Sequence, residues 1–192
     1  MDLILASTSR YRRTLLERLG VPFRCEAPRC DEDALKPGGP RDPVALAAYL
    51  AEAKAASVAG AFPDAIVIGS DQLVALDQDV LGKPGDATGA TAQLTRMSGR
   101  EHRLVTALVV ISKGQCHRHN DITTLAMRRL DAAAIARYIA ADQPFDCAGS
   151  YKLECRGIAL FERIDSADHS AITGLPLIAL TTRLRALGVP IP

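Results

Sequence analysis

The sequence predicts an α/β fold built on a mixed sheet, and three observations carry that prediction. Short apolar runs alternate with amphipathic helical stretches along the whole chain. Two long β-patterned runs flank Lys113-Gly114-Gln115, a hairpin signal that adds antiparallel strands to βα units. Gly20, Pro43, Gly60 and Pro176 punctuate the ends of predicted helices rather than their interiors.

The elements follow in order. Residues 2 to 6 and 22 to 26 read as strands around a helix over 10 to 19, which Gly20 ends. An Ala-rich helix is expected over 43 to 60. The run Ala65-Ile66-Val67-Ile68-Gly69 reads as a buried strand that ends in a Gly-Ser-Asp-Gln turn, followed by Leu73-Val74-Ala75-Leu76. A helix over 86 to 98 precedes the hairpin strands, 102 to 112 and 116 to 128. Asp131 is a good N-cap for a helix over 131 to 141. A loop over 143 to 155 then leads to a strand over 157 to 161, and a last helix begins near Pro176. With no repeat and no low-complexity linker, residues 1 to 192 are expected to form a single domain. Lys36-Pro37-Gly38-Gly39-Pro40 reads as a mobile surface loop.

Composition narrows the function classes. The 192 residues bury enough to fold without a staple, since a chain of this size removes roughly 70% of its unfolded surface from water. Aromatics are scarce (four Tyr, four Phe, no Trp), so Ala, Leu, Val and Ile must build the core. A net charge of +1 gives no global attraction to nucleic acid or to an anionic membrane. Cys25, Cys30, Cys116, Cys147 and Cys155 show neither C-x-x-C spacing nor a zinc pattern, and their odd number reads as reduced thiols. No stretch approaches the roughly 20 apolar residues of a membrane helix. The expectation is a soluble cytoplasmic chain without a cleaved leader.

Ligands of open α/β sheets bind beyond strand ends, so polar residues just after strands are the candidates. After the first strand come Ser7, Ser9, Arg10, Tyr11, Arg12 and Arg13. Hydroxyls, unpaired N–H groups and guanidinium forks at a helix N-terminus suit a phosphate. Asp31 and Glu32 follow the second strand, and Asp71 follows Ile68-Gly69-Ser70. Lys54 taken alone reads as an exposed helix lysine. Lys83 lies in Leu81-Gly82-Lys83-Pro84, and Lys152 and Glu154 alternate so as to share a face in extended chain. Together they amount to cations for phosphate oxygens and carboxylates for a metal or a water. His117 and His119 share a strand face but lack a third ligand, and Cys147 lacks His and Asn partners. No P-loop pattern occurs.

The set resembles the Maf-type nucleoside triphosphate pyrophosphatases. The motifs that carry the resemblance are Ser7-x-Ser9-x-x-Arg12-Arg13, Asp31-Glu32, Gly69-Ser70-Asp71-Gln72, Leu81-Gly82-Lys83-Pro84, Cys147-Ala148-Gly149-Ser150-Tyr151-Lys152-x-Glu154 and Gly174-Leu175-Pro176-Leu177, in that order. The Ser-Asp-Gln and Lys-x-Glu variants are similar to the branch that hydrolyses 7-methyl-GTP rather than dTTP and UTP. The resemblance implies a sheet flanked by helices, with two lobes around a deep cleft, as in inosine triphosphate pyrophosphatases. It implies Asp71 as catalytic base, Glu32 and Asp71 at a divalent metal (Mg²⁺ or Mn²⁺), and Ser7, Ser9, Arg12, Arg13, Lys54 and Lys83 on the triphosphate. Tyr11, Gln72 and Glu154 match positions that set base specificity, with Lys152 in the cleft. Two residues depart from the family pattern, Arg10 in place of Pro and Cys155 in place of a small residue. A homodimer is compatible with the family, while no nucleic-acid or membrane partner is expected.

The chemistry accounts for these residue types. Water attacking the α-phosphorus must lose a proton to a base such as Asp71, and the departing pyrophosphate needs cations. A 7-methylguanine ring is cationic when N1 is protonated, so a Tyr11 face attracts it by roughly 0.5 to 2 kcal/mol. Glu154 would accept from the guanine N1–H and amino group. The alternatives are dTTP/UTP hydrolysis and a non-catalytic nucleotide-binding regulator of cell division.

Overall fold

Four consecutive buried apolar residues form β1 (Leu3–Ala6), the pattern of a strand covered on both faces. In this computed structural model, which describes residues 2–191, β1 pairs in parallel with β2 (Arg24–Glu26) and with β3 (Ile66–Leu76). Helix α1 (Arg10–Glu17) connects β1 to β2 and is capped by Ser9. Gly20 then supplies the left-handed φ of +66° that turns the chain out of the helix. The single-turn α2 (Glu32–Leu35) is capped by Asp31, whose carboxylate accepts from the N–H groups of Asp33 and Ala34. A 3-10 turn over Lys36–Gly38 replaces the open loop expected there. Behind the Asp42 cap, α3 (Pro43–Ala59) begins with proline at its first position, where no N–H is needed.

The strand β3 departs from the sequence reading. It does not turn at Gly69 but runs on through Ser70, Asp71 and Gln72 to Leu76. Gly69 is needed for close approach rather than for a turn. A Cβ there would lie 2.4 Å from the Ala51 carbonyl oxygen and 2.8 Å from the Ala55 methyl, so only glycine lets α3 settle on the strand. Asp71 is therefore inside a strand instead of at its end.

The remaining elements are β4 (Asp79–Leu81), α4 (Ala87–Met97), β5 (Glu101–Ser112), β6 (Gln115–Met127), α5 (Ala132–Asp142), β7 (Phe161–Asp165), α6 (His169–Ile172) and α7 (Leu177–Ala186). Lys113 and Gly114 both take positive φ, +49° and +74°, as a two-residue hairpin turn requires. The last strand starts four residues later than the sequence reading places it. Residues 156 to 160 form a 3-10 turn because the Gly157 backbone presses on Lys152, and its N–H donates to the Lys152 carbonyl at 3.1 Å.

The strand order is β2-β1-β3-β5-β6-β7, with β4 antiparallel to β3 and β7 antiparallel to β6. This is a mixed sheet of seven strands flanked by helices. The chain divides into two compact units. The first comprises the stretch up to Gln72, Thr106–Asp121 and the stretch from Asp168 onward, and the second comprises Leu73–Val105 and Ile122–Ala167. The first unit buries a core in which Leu5, Leu16, Ile66, Ile68, Leu175 and Leu180 are central. In the second, Tyr151 packs edge-on to Phe161 with ring centroids 5.0 Å apart.

Candidate active site

Three elements of the first unit converge on Lys54. Its Nζ lies 2.6 Å from Asp71 Oδ1 on β3 and 2.9 Å from Glu32 Oε2 on α2. The Lys54 and Asp71 side chains are 6% and 7% exposed, so the lysine is a buried bridge and not the exposed helix residue its sequence context implied. The small residues Ala47, Ala51 and Ala55 are fully buried, which lets α3 lie close enough for Lys54 to reach the strand. Asp71 Oδ2 is buried and has no hydrogen-bond partner among the described residues. Such an oxygen is costly unless a ligand meets it. With Glu32 it offers the hard oxygen donors that Mg²⁺ and Mn²⁺ take. Among the described residues, no group of three or more His, Cys, Asp or Glu side chains is arranged to hold a metal ion.

The β1–α1 turn lies in the same unit. Ser7 is buried and its Oγ accepts from the Ser9 N–H at 3.1 Å, while Ser9 Oγ accepts from the Arg12 N–H at 3.4 Å. The first turn of α1 holds Arg10, Arg12 and Arg13 and no acidic residue. Cations at this end oppose the helix dipole by about 0.3–1 kcal/mol each, a cost that a bound anion reverses. Arg12 Nε donates to the Gly174 carbonyl at 2.9 Å. Burial lowers the Arg12 guanidinium below its ordinary pKa, and Asp71 and then Glu32 oppose that shift. Arg13 pairs at the surface with Glu17 at 3.1 Å. Arg10 sits 4.8 Å from the Tyr11 ring centroid and donates to its hydroxyl at 2.8 Å.

Gln72 is held in place by the last residues of α6. Its side-chain amide nitrogen donates to the Ala171 and Ile172 carbonyls at 2.9 and 3.1 Å and reaches Thr106 Oγ1 at 2.9 Å.

The other predicted residues belong to the second unit. Lys83 is exposed between β4 and α4. Lys152 turns to the end of α5, where its Nζ lies 3.1 Å from Asp146 Oδ1 and 3.4 Å from the Asp142 and Gln143 carbonyl oxygens. Upstream, Ser150 Oγ donates to Gln93 Oε1 at 2.6 Å, and the Tyr151 hydroxyl is 3.1 Å from His102 Nε2. Glu154 is exposed beyond this anchored stretch. Burial, followed by the Asp146 charge, pushes the Cys147 thiol up to about 12, which keeps it protonated and unreactive. Back in the first unit, His117 Nε2 bonds to Arg183.

The sequence model of the family described as Maf-like protein matches residues 2–187. The chain belongs to the Maf family. Among its relatives is the 7-methyl-GTP pyrophosphatase of Xanthomonas axonopodis pv. citri (strain 306), 49% identical over 190 residues that cover 99% of this chain and 98% of the relative. The proteins of the same name from Thiobacillus denitrificans and Bdellovibrio bacteriovorus are 47% and 46% identical, with coverage of at least 93% on both sides.

Several residues of this Maf chain matter although the sequence reading assigned them no role. The Gly174 carbonyl accepts from Ser70 Oγ at 2.9 Å as well as from Arg12. Asp168 caps α6, accepts from the Ser170 N–H at 2.9 Å and receives the Ile178 N–H of α7 at 2.7 Å. The Gly174-Leu175-Pro176 motif was the visible signal, but the use of its Gly174 carbonyl as acceptor for side-chain N–H and O–H groups depends on contacts more than 100 residues apart in sequence.

Proposed function

We propose that this chain is a nucleoside triphosphate pyrophosphatase that hydrolyses 7-methyl-GTP to 7-methyl-GMP and pyrophosphate, and so removes a modified nucleotide from the pool. The observation that carries the chemistry is the buried Lys54 bridge between Asp71 and Glu32, with one Asp71 oxygen left without a partner. The names of the relatives support the nucleotide.

In this mechanism water attacks the α-phosphorus, its proton passes to Asp71 Oδ2, and the bond to the β-phosphate oxygen breaks to release pyrophosphate. Lys54 holds the Asp71 carboxylate by Oδ1, which leaves Oδ2 to take the proton. Arg12, Arg13, Lys83 and the Ser7–Ser9 turn bind the triphosphate, and the positive charge of the arginines and the lysine stabilises the leaving group, often the largest catalytic contribution. Glu32 and Asp71 would hold Mg²⁺ or Mn²⁺, which when bound withdraws charge from the phosphate oxygens. Tyr11 and Glu154 are assigned to the cationic base, with Lys152 supporting the segment that carries Glu154. The five free cysteines fit a reducing cytoplasm.

The test is pyrophosphate release with Mg²⁺ or Mn²⁺, comparing 7-methyl-GTP with GTP, dTTP, UTP and CTP. A preference for 7-methyl-GTP that Asp71→Asn abolishes while nucleotide binding persists supports the assignment. Preference for dTTP or UTP keeps the reaction and removes the base assignment. Absence of turnover by folded, metal-loaded protein leaves nucleotide binding as the function.

A further inference from the structure

We infer that Tyr138 and Asp142, four apart on α5, are positioning residues that clamp the turn bearing Glu154 and so set how well its carboxylate meets the base. The inference rests on the assignment of Glu154 to the nucleobase.

Glu154 is exposed, and no hydrogen bond or ion pair to another described residue holds its carboxylate. Its place is therefore set by the backbone beneath it. That backbone is a four-residue turn over 152 to 155, closed by the Cys155 N–H, which donates to the Lys152 carbonyl at 3.1 Å. The Gly157 N–H donates to the same carbonyl, also at 3.1 Å. A Cβ on Gly157 would lie 2.4 Å from that oxygen, so only glycine lets the chain fold back this closely.

Helix α5 grips the turn at both ends. At the start, the Tyr138 hydroxyl accepts from the Lys152 N–H at 2.9 Å. Just past the end, Asp142 Oδ2 accepts from the Arg156 N–H at 2.9 Å, a charge-assisted bond. Helix residues four apart are neighbours on one face, so a single face of α5 supplies both acceptors. Tyr138 is 6% exposed and the Asp142 side chain 3%, which keeps water from competing for either bond. Contacts also run the other way. Lys152 Nζ lies 3.4 Å from the Asp142 and Gln143 carbonyl oxygens, and Arg156 Nη1 donates to the Ala141 carbonyl at 3.2 Å. Cations at this end of a helix are favoured by its dipole. The turn is thus seated on the end of a helix, and a carboxylate that must meet one edge of a base loses selectivity when its support drifts.

Steady-state hydrolysis of 7-methyl-GTP and GTP by variants of the full chain tests this, alongside binding of inorganic tripolyphosphate. Tyr138→Phe removes one acceptor and Asp142→Ala the other. Each should lower the preference for 7-methyl-GTP over GTP by about threefold, the scale of one hydrogen bond. The loss should come through KM for 7-methyl-GTP rather than kcat. The two together should reach about tenfold, because they act through separate bonds. Asp142→Asn keeps an acceptor oxygen and should restore the preference. Tripolyphosphate binding should not change in any of them. In a Glu154→Ala background, neither variant should lower the preference further, as expected when one residue acts through another. Tyr138→Phe keeps the ring packing and carries the test by itself if Asp142→Ala does not fold. An unaltered preference in Tyr138→Phe, or an equal fall in the Glu154→Ala background, overturns the inference. If Glu154→Ala alone leaves the preference unaltered, the base assignment fails and the inference with it, a result read without any change to α5.

Discussion

Lys54–Asp71 in the first unit and Arg96–Asp79 in the second are ion pairs of the same length, 2.6 Å, in opposite surroundings. The first is 6% and 7% exposed, and the second 49% and 69%. The contrast extends to the neighbourhoods. In the first unit, Ser70, Gln72, Thr106 and Arg12 hold one backbone segment. In the second, the segment through Tyr151 is anchored, but Lys83 and Glu154 are displayed at the surface. Buried, hydrogen-bonded side chains are held in one geometry, whereas exposed ones keep their rotamer freedom.

The largest expected effect lies in the first unit. Asp71→Asn removes the proton acceptor while keeping the shape, so kcat should fall by about 10²–10⁴-fold in a pyrophosphate-release assay. Equal loss from Glu154→Ala would erase the distinction between the two regions.

Two stability effects come next. Lys54→Met strips the counter-charge from a buried carboxylate and should cost about 3 kcal/mol in urea denaturation at neutral pH. A change below about 0.5 kcal/mol would mean that the bridge is no stronger than a surface pair. In the second unit, burial holds His102 down to about 4, against 6.5 when unfolded. The unfolded chain therefore takes up this proton first. Stability is full above pH 6.5 and falls by about 3 kcal/mol as pH drops to 4. His102→Gln, which does not titrate, should flatten that part of the Tm-against-pH curve, and an unaltered slope would exclude His102 as its source.

Smaller effects sharpen the contrast. Glu154→Ala should lower the preference for 7-methyl-GTP over GTP by about tenfold, because the carboxylate attracts the positive charge that only the methylated ring carries, with kcat on GTP retained. Arg96→Ala should change stability by less than about 0.5 kcal/mol.

Much of the first unit is legible in the sequence because its signals are local. Leu3-Ile4-Leu5-Ala6 is a strand by its unbroken apolar run, Ser9 is a cap by its hydroxyl, and Lys113-Gly114 is a hairpin turn by its dipeptide. The errors arise where a long-range contact reverses a local preference. Gly69 looks like a turn until Ala51 and Ala55 of α3 press on it and make it an approach point. Residues 157 to 160 look like a strand until Gly157 meets the Lys152 backbone. Lys54 looks exposed because helix position alone says nothing about which charged groups lie opposite.

Residue types and their spacing determined by themselves that this chain is an α/β protein carrying cations and carboxylates suited to a polyphosphate, since propensity, capping and charge act over a few residues. Only the tertiary structure decided that Lys54 bridges Asp71 and Glu32 and that Ser70, Gln72 and Arg12 meet at one backbone segment. Those contacts join residues 17 to more than 160 positions apart, and hydrogen bonds and buried charges form only after packing has excluded water around them.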